Sequence, residues 1–340
     1  MSSNDRILSV ARAGREAVMW EMKNDPSVFM LGEDVYAFGG VFGTADGLGE
    51  MFGPERILDT PISETGFIGL ATGAATAGMR PIVELAFIDF IGVCFNAIVN
   101  LAAKHYYLSN GQMKVPMVLM LGAGGGYNNG AQHSQNLLAT LAHMPGMIIA
   151  TPSNAYDAKG LMHASIRSDN FVVYIAQKKT AGIGLLGSPI KTSMAAVPDE
   201  PYTIEFGKAN IVQEGSDITF VGVGWTVHQC LDAAAQLQEE DGVSVEVIDP
   251  RTIVPLDRDA IFESVKKTGR LLVADEDYQS YGFTAEVLAS IAERDPTVMK
   301  VPPVRVANPD VNIPYSRPME QRILPTSSRI VAAAREMLSA

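Results

Sequence analysis

Apolar positions along this chain follow two kinds of pattern. Between residues 7 and 23 the apolar side chains fall near one stripe with helical spacing, whereas a short run at 28–31 is apolar throughout. Runs of the second kind are typical of strands buried on both faces of a parallel sheet. Strands and helices that follow one another in this way predict an α/β protein with a doubly wound sheet.

The same patterns place elements through the rest of the chain. Gly66, Gly69 and Gly73 stand in near-helical register within an Ala/Gly-rich stretch at 62–78, which would let another backbone approach closely, and the glycine-rich stretch 122–136 is typical of a loop. The predicted strands are 28–31, 82–85, 115–121, 147–150, 171–176, 217–223, 243–248, 270–275 and 303–307; the predicted helices are 7–23, 89–108, 154–167, 226–240, 257–267, 282–293 and 327–338.

Length and a change of character near residue 177 predict two domains. A chain of 340 residues is long for one domain of typical size. The segment 177–205 holds several prolines and glycines and no sustained period, so we interpret it as a linker. The predicted domains are therefore 1–176 and a smaller α/β domain at 206–340.

Composition removes several classes of protein. A formal charge of −12 argues against a nucleic-acid-binding surface, because such surfaces depend on Lys and Arg. No apolar run is long enough to predict a membrane span. Two cysteines cannot build a disulfide framework and fit a reducing, cytoplasmic location. Five scattered histidines do not predict a metal site.

A phosphate cradle is not evident in the sequence. Residues 122–126 nearly spell the dinucleotide fingerprint, but Tyr127 occupies its last glycine position and no helix follows at once. The Walker A loop and the nucleophile elbow are also missing.

Four residues remain as candidates for chemistry. Glu64 begins an apolar helix, where it either complements the helix dipole or works as a poorly solvated proton-transfer group. His133 follows the glycine-rich loop just after a strand end, where α/β sheets place ligands. Phe87 and Phe90 are core residues or an aromatic surface for a ring-shaped cofactor. Structural roles are the simpler interpretation for the other histidines, at 105, 143, 163 and 228.

An ordered set of short motifs resembles a known family. The chain is similar to the beta subunits of the decarboxylating first component of 2-oxo acid dehydrogenase complexes, the pyruvate, branched-chain and acetoin enzymes. The motifs are GEDV at 32–35, GGVF at 39–42, DTPISE at 59–64, GMRP at 78–81, HSQ at 133–135, DAKGL at 157–161, DPRTI at 249–253 and FTAE at 283–286.

The resemblance implies a fold, a cofactor and partners. It implies a thiamine-diphosphate-binding pyrimidine-type domain followed by a transketolase C-terminal-like domain. The cofactor would be shared with an alpha subunit that holds Mg²⁺ and the diphosphate in an α2β2 heterotetramer, and a lipoyl acyltransferase core would be a further partner. The implied reaction is oxidative decarboxylation of a small 2-oxo acid with acyl transfer to a lipoyl group.

The resemblance also implies roles for the candidate residues. Glu64 matches the glutamate that hydrogen-bonds the aminopyrimidine ring and promotes its imino tautomer. His133 matches a histidine near the substrate or the lipoyl group, and Phe90 matches an aromatic residue beside the aminopyrimidine. Relatives usually carry an arginine where this chain has Met120 and an acid where it has Ala176.

Further departures leave alternatives open. Ser168 replaces the common acid of a potassium-binding turn, so a K⁺ ion is doubtful, and Asn96-Ala97 replaces a common Asp-Gln pair. These changes allow an acetoin dehydrogenase or a carboligase on the same scaffold. A non-catalytic paralogue that acts in assembly is a third possibility, although the retained Glu64 argues against it.

Overall fold

The chain is described by a computed structural model over residues 6–181 and 189–339. It divides into two compact units. Unit 1 lies within Met1–Ala123 and Thr140–Phe206, and unit 2 lies within Gly124–Ala139 and Gly207–Ala340. The glycine-rich loop thus clusters with the C-terminal half of the chain. The sequence-based domain limits, 1–176 and 206–340 around a linker at 177–205, stay predictions.

Unit 1 alternates strands and helices as the apolar pattern predicts. Its elements are β1 (Ile7–Leu8), α1 (Val10–Asn24), β2 (Val28–Gly32), α2 (Leu48–Phe52), β3 (Ile57–Asp59), α3 (Glu64–Thr76), β4 (Arg80–Phe87), α4 (Ile91–Asn96), α5 (His105–Leu108), β5 (Val118–Ala123), α6 (Leu138–Ala142, which begins in unit 2), β6 (Ile148–Ala150), α7 (Ala155–Arg167), β7 (Val172–Gln177), α8 (Lys178–Ala181) and β8 (Ala195–Ala196).

A parallel sheet forms the centre of unit 1. Its strands lie in the order β6-β7-β5-β4-β2-β3, and every pair within this order is parallel. The chain moves outward in opposite directions from β2 and β4, so the carboxyl ends of these two strands form a switch point. Ligands bind at such points in open α/β sheets, which directs attention to the residues that follow β2, β3 and β4.

Two predicted helices in unit 1 differ from the structure. The first helix begins at Val10, because Ser9 caps it by accepting from the Arg12 N–H, and β1 pairs antiparallel with β8 instead. The prediction of one long buried helix over 89–108 is wrong. That segment is a 3₁₀ turn, α4, a π-helix at Ala97–Ala102 and α5. The Val93 carbonyl accepts from the Thr65 hydroxyl at 2.9 Å, and the helix departs from α geometry at Cys94.

Unit 2 contains a second, smaller sheet. Its elements are β9 (Asn210–Gln213), β10 (Ile218–Gly222), α9 (Trp225–Asp241), β11 (Val245–Asp249), β12 (Thr252–Val254), α10 (Arg258–Thr268), β13 (Leu271–Tyr278), α11 (Phe283–Arg294), β14 (Val304–Asn308), α12 (Arg317–Ile323) and α13 (Ser327–Ser339). The order β14-β13-β10-β11-β9 is parallel except for the antiparallel edge strand β9. In the described residues no helix is long and apolar enough to cross a membrane.

Candidate active site

Glu64 lies at the switch point of the unit 1 sheet. It is the half-buried first residue of α3, in the connection that leaves β3. A carboxylate in the first turn of a helix is stabilised by the helix dipole. The segment that leads from β3 to Glu64 is held where it begins, at Asp59. The Asp59 carboxylate accepts from the N–H groups of Tyr36 and Ala37 at 2.6 and 3.1 Å. Two connections at the carboxyl edge, those after β2 and β3, are therefore tied together.

The charge of Glu64 acts on two neighbouring groups. Burial raises the pKa of Glu33, and the negative charges of Glu64 and Asp34 raise it further. Burial, with a smaller contribution from Glu64, raises the pKa of the Cys94 thiol to about 12. Cys94 belongs to α4, and its Sγ donates to the carbonyl of Phe90 at 3.6 Å. Glu64 is therefore close to α4, the helix that directly follows Phe90, and the thiol stays protonated there.

Phe90 ends a row of aromatic rings. Phe42 packs edge-on against Phe87 with ring centroids 5.6 Å apart, and Phe87 packs edge-on against Phe90 at 5.5 Å. The buried ammonium of Lys178 lies 5.4 Å from the Phe87 centroid. We call Phe42, Phe87 and Phe90 the aromatic row. Its half-buried end and the Glu64 carboxylate offer an apolar surface and a hydrogen-bond acceptor, which suits a flat heteroaromatic ring that carries N–H groups.

The glycine-rich loop donates to carboxylates of its own chain. The N–H of Gly125 donates to Glu276 at 2.9 Å, and the N–H groups of Gly126 and Asn128 donate to Glu320 at 2.8 and 3.2 Å. Gly124 adopts φ +91°, and a Cβ there would lie 2.5 Å from a Glu276 oxygen. Because these donors already face carboxylates, a phosphate at the same position would be repelled.

His133 lies in this loop and therefore in unit 2, whereas Glu64 and Phe90 lie in unit 1. His133 is half-buried, and its backbone N–H donates to the Gly130 carbonyl at 3.4 Å. The loop is anchored further along by Asn136, which donates to Asp275 at 3.0 Å, and by the Ala139 N–H, which donates to Asp277 at 3.0 Å.

The acidic end of β13 was not singled out from the sequence. Asp275, Glu276 and Asp277 are all buried. Burial, and then the charge of Asp277, raises the pKa of Asp275 well above its ordinary value. Burial raises that of Asp277 to about 6. The available signal in the sequence was the three consecutive acids that follow an apolar run. A strand end with one face in solvent would instead alternate polar and apolar residues. In the described residues no group of three potential ligands is placed to hold a metal ion.

A structural role fits His163, as the sequence suggests. It is fully buried on α7, and its Nδ1 shares a 2.6 Å hydrogen bond with the Glu21 carboxylate, which also accepts from Arg167 at 2.6 Å. His228 is buried in the first turn of α9. His105 lies on the short helix α5.

The positions that the sequence analysis predicts to depart from relatives lie in the unit 1 sheet, in one turn, and at Asn96 and Ala97, where α4 ends and the π-helix begins. Met120 is buried on β5 beside Tyr174 of β7, and Ala176 lies two residues further along β7. At the turn of Ser168, the carbonyls of Ile166 and Ser168 both accept from the Arg80 guanidinium, at 3.0 and 2.9 Å. A cationic side chain thus donates to two carbonyl oxygens of this turn, and the doubt about a potassium ion there stays a prediction.

Comparison with known proteins assigns both halves of the chain. The family described as the pyrimidine-binding domain of transketolase matches residues 7–182, and the family described as the C-terminal domain of transketolase matches residues 207–330. A solved structure titled "Split gene transketolase, inactive beta4 tetramer" has a TM-score of 0.77 and 24% identity, with 98% of each chain covered. The fold is therefore of the transketolase type, as predicted.

Curated relatives match over nearly their full length. The chain is 40% identical to the beta subunit of acetoin:2,6-dichlorophenolindophenol oxidoreductase of Bacillus subtilis (strain 168), covering 98% of each chain. It is 40% identical to the 2-oxoisovalerate dehydrogenase beta subunit of the same strain and 39% identical to the pyruvate dehydrogenase E1 beta subunit of Staphylococcus aureus (strain Mu50 / ATCC 700699), covering 97% of this chain and 98% of each relative.

These matches define a beta subunit of the thiamine-dependent, transketolase-like class. The chain belongs to the family of E1 beta subunits of the 2-oxo acid dehydrogenase and acetoin dehydrogenase complexes. The family resemblance inferred from the ordered motifs is confirmed, and with it the prediction of an oxidoreductase subunit. A transketolase pyrimidine-binding domain implies thiamine diphosphate, and a beta subunit implies an alpha-subunit partner.

Proposed function

We propose that this chain, with an alpha subunit, oxidatively decarboxylates a small 2-oxo acid and passes the acyl group to a lipoyl group. The observation that carries the proposal is the half-buried Glu64 at the start of α3, whose charge acts on Cys94, which in turn donates to the carbonyl of Phe90 at the end of the aromatic row. Bound thiamine diphosphate supplies a nucleophilic carbon and an electron sink. The cytoplasmic location inferred from the two cysteines, both buried and unpaired, stays a prediction.

Each candidate residue has a distinct part in this proposal. Glu64 faces a ring nitrogen of the aminopyrimidine and holds a proton at its carboxylate oxygen during activation of the cofactor. Phe90 packs against the same ring and keeps water from it. His133 moves a proton near the substrate or the lipoyl group, which suits an imidazole because its pKa is ordinarily close to neutral pH.

The diphosphate and its Mg²⁺ belong to the alpha subunit in this proposal. Supporting this division, the N–H groups of Gly125, Gly126 and Asn128 already donate to Glu276 and Glu320. The lipoyl acyltransferase core is the further partner. With a net charge of −12, the chain would attract a basic subunit-binding module of that core.

One face of α3 suits the alpha subunit. Gly66 and Gly73 are exposed there, Leu70 is 56% exposed, and Ile62 just before the helix is 80% exposed. No charged residue occurs between Glu64 and Arg80. A Cβ at Gly69 or Gly73 would meet nothing within 4 Å in this chain. No contact within the chain requires glycine at these two positions. Small residues there are suited to close packing against the backbone of a second subunit. The face begins at Glu64.

Replacement of Gly69 by leucine is expected to prevent assembly while leaving the chain folded. Glycine is less favourable than leucine in a helix by about 0.8 kcal/mol, so α3 itself gains stability. The added side chain would instead collide with a closely packed partner. Co-purification of the two subunits, with circular dichroism of the variant, measures both effects. Gln238→Leu adds the same side chain to an exposed position of α9 and serves as the control; equal assembly of both variants would contradict this interface.

The proposed function is tested by reconstitution with the alpha subunit. The assembled complex should require thiamine diphosphate and Mg²⁺ as cofactors and decarboxylate at least one of pyruvate or the branched-chain 2-oxo acids in the presence of a lipoyl acceptor. The chain alone should bind the cofactor far more weakly in calorimetry. Acetoin cleavage without 2-oxo acid turnover would shift the assignment to the acetoin enzymes. Assembly without any cofactor-dependent reaction would indicate the non-catalytic alternative.

A further inference from the structure

A carboxylate is buried in the centre of the unit 1 sheet, away from the residues assigned above. Glu84 lies on β4 with 3% of its surface exposed, in register with Gly32 of β2 and Met120 of β5. Burial raises its pKa to about 7. A charged group at such a position is costly unless it satisfies specific hydrogen bonds. Glu84 is therefore expected to have a role that an apolar side chain would not fill.

Its hydrogen bonds hold one loop. One Glu84 oxygen accepts from the Val41 N–H at 2.9 Å, and the other accepts from the Thr44 hydroxyl. The loop backbone lies directly on the carboxylate, because a Cβ at Gly40, which has φ +77°, would be 2.6 Å from an oxygen. The Ala45 N–H donates to the Gly39 carbonyl at 2.9 Å and closes the loop. Residues 39–45, which we call the latch loop, thus depend on Glu84.

The latch loop carries the first member of the aromatic row. Phe42 lies between the two residues that donate to Glu84, and its ring is buried. That ring covers Gly122 of β5 so closely that a Cβ there would lie 2.1 Å from it. The same ring packs edge-on against Phe87, which in turn packs against Phe90. A shift of the latch loop would therefore move the support of the ring that faces the cofactor.

We propose that Glu84 is a positioning residue that fixes the latch loop, so that Phe42 holds Phe87 and Phe90 in place against the aminopyrimidine ring. This proposal rests on the proposed function, because it assigns the aromatic row to thiamine diphosphate. Glu84 itself does not touch the cofactor in this arrangement. Its effect reaches the site through the hydrogen bonds to Val41 and Thr44 and through ring packing.

Calorimetric titration of thiamine diphosphate into the cofactor-free complex tests the proposal. Thr44→Val removes one donor without a change of shape and should weaken binding about tenfold, the size of effect expected from one hydrogen bond to a charged group. Phe42→Leu should weaken it similarly, and the double variant should be little weaker than either alone, because both act through the same loop. Hydrogen exchange at residues 39–45 should rise in Thr44→Val.

Matched variants separate this role from a general loss of packing. Thr72→Val removes another buried hydroxyl of unit 1, one that donates to the Ile68 carbonyl at 2.9 Å, and should leave binding unchanged. Glu84→Gln can still accept from Val41 and donate to Thr44, so it should bind within about threefold of wild type, whereas Glu84→Met should lose about tenfold.

Three results would overturn the positioning role. These are additive losses in Thr44→Val and Phe42→Leu, an equal loss in Thr72→Val, or equal binding by Glu84→Gln and Glu84→Met. If Thr44→Val does not assemble, the two substitutions at Glu84 decide the question. Failure of the proposed function has a different signature, because the wild-type complex would then not bind thiamine diphosphate at all.

Discussion

Glu64→Gln is expected to lower the cofactor-dependent turnover of the assembled complex by at least about 100-fold, the lower end of what a positioned proton-transfer group contributes. Glutamine keeps the shape of the side chain at the start of α3 but can neither carry the charge nor exchange the proton. The Thr65 hydroxyl bond to the Val93 carbonyl, which joins α3 to α4, is untouched. Assembly should therefore persist, and steady-state decarboxylation with saturating thiamine diphosphate measures the loss.

A matched change elsewhere in unit 1 defines the baseline for this experiment. Glu50→Gln alters an exposed glutamate in α2 and should leave turnover unchanged. Turnover of Glu64→Gln equal to that of Glu50→Gln would show that Glu64 is only a first-turn acid that complements the dipole of α3. A loss of turnover together with a loss of assembly would instead assign Glu64 to the subunit interface.

The alternation of elements was predictable because several strands of the central sheets, β2 among them, are short, mostly apolar runs that are buried throughout. Strands of this kind, such as β5 and β10, leave a continuous signal that does not depend on their neighbours in space. The order of strands in the sheet leaves no such signal. The switch point that places Glu64 and Phe90 at one edge became visible only with the structure, whereas the motifs had indicated those residues through resemblance alone.

Features set by distant contacts were missed. The break at Cys94 depends on a hydroxyl from α3 that reaches the Val93 carbonyl, and local spacing cannot reveal it. The glycine-rich loop is satisfied by Glu276 and Glu320, more than a hundred residues later, so its grouping with unit 2 was hidden too. Glu84 stands among apolar neighbours in a short run and was absorbed into the predicted strand 82–85.

Buried carboxylates hold a loop in each of the two units of this chain. Glu276 and Glu320 use the N–H groups of a loop that resembles a phosphate cradle, which makes it a fixed internal element. Glu84 likewise accepts from a backbone N–H of the latch loop, which carries Phe42 of the aromatic row. In both cases a loop that follows a strand of a parallel sheet is held by a buried carboxyl group of the same unit. Such loops keep their shape before any ligand arrives, and this lowers the cost of ordering them upon binding.

Glu84→Gln is expected to remove a pH dependence from the stability of unit 1. In the folded chain the Glu84 pKa is about 7, against an ordinary value of 4.5. Between these values the folded state keeps a proton that the unfolded state releases, so wild-type stability falls as the pH rises and levels off above pH 7. The decrease attributable to Glu84 is about 3 kcal/mol. Glutamine does not titrate, so the variant should gain this amount relative to wild type between pH 4.5 and pH 8.

Urea unfolding of the full-length chain at a series of pH values measures this difference. Trp20 lies on α1 of unit 1 and Trp225 begins α9 of unit 2, so a Trp225→Phe background leaves Trp20 fluorescence as a reporter for the unit that contains Glu84. The raised pKa values of Asp275 and Asp277 change stability in the same direction but are shared by both proteins, so they cancel in the comparison. A constant difference across the whole range would mean that Glu84 keeps an ordinary pKa in the folded chain, and that it holds Val41 and Thr44 of the latch loop as an ionised carboxylate.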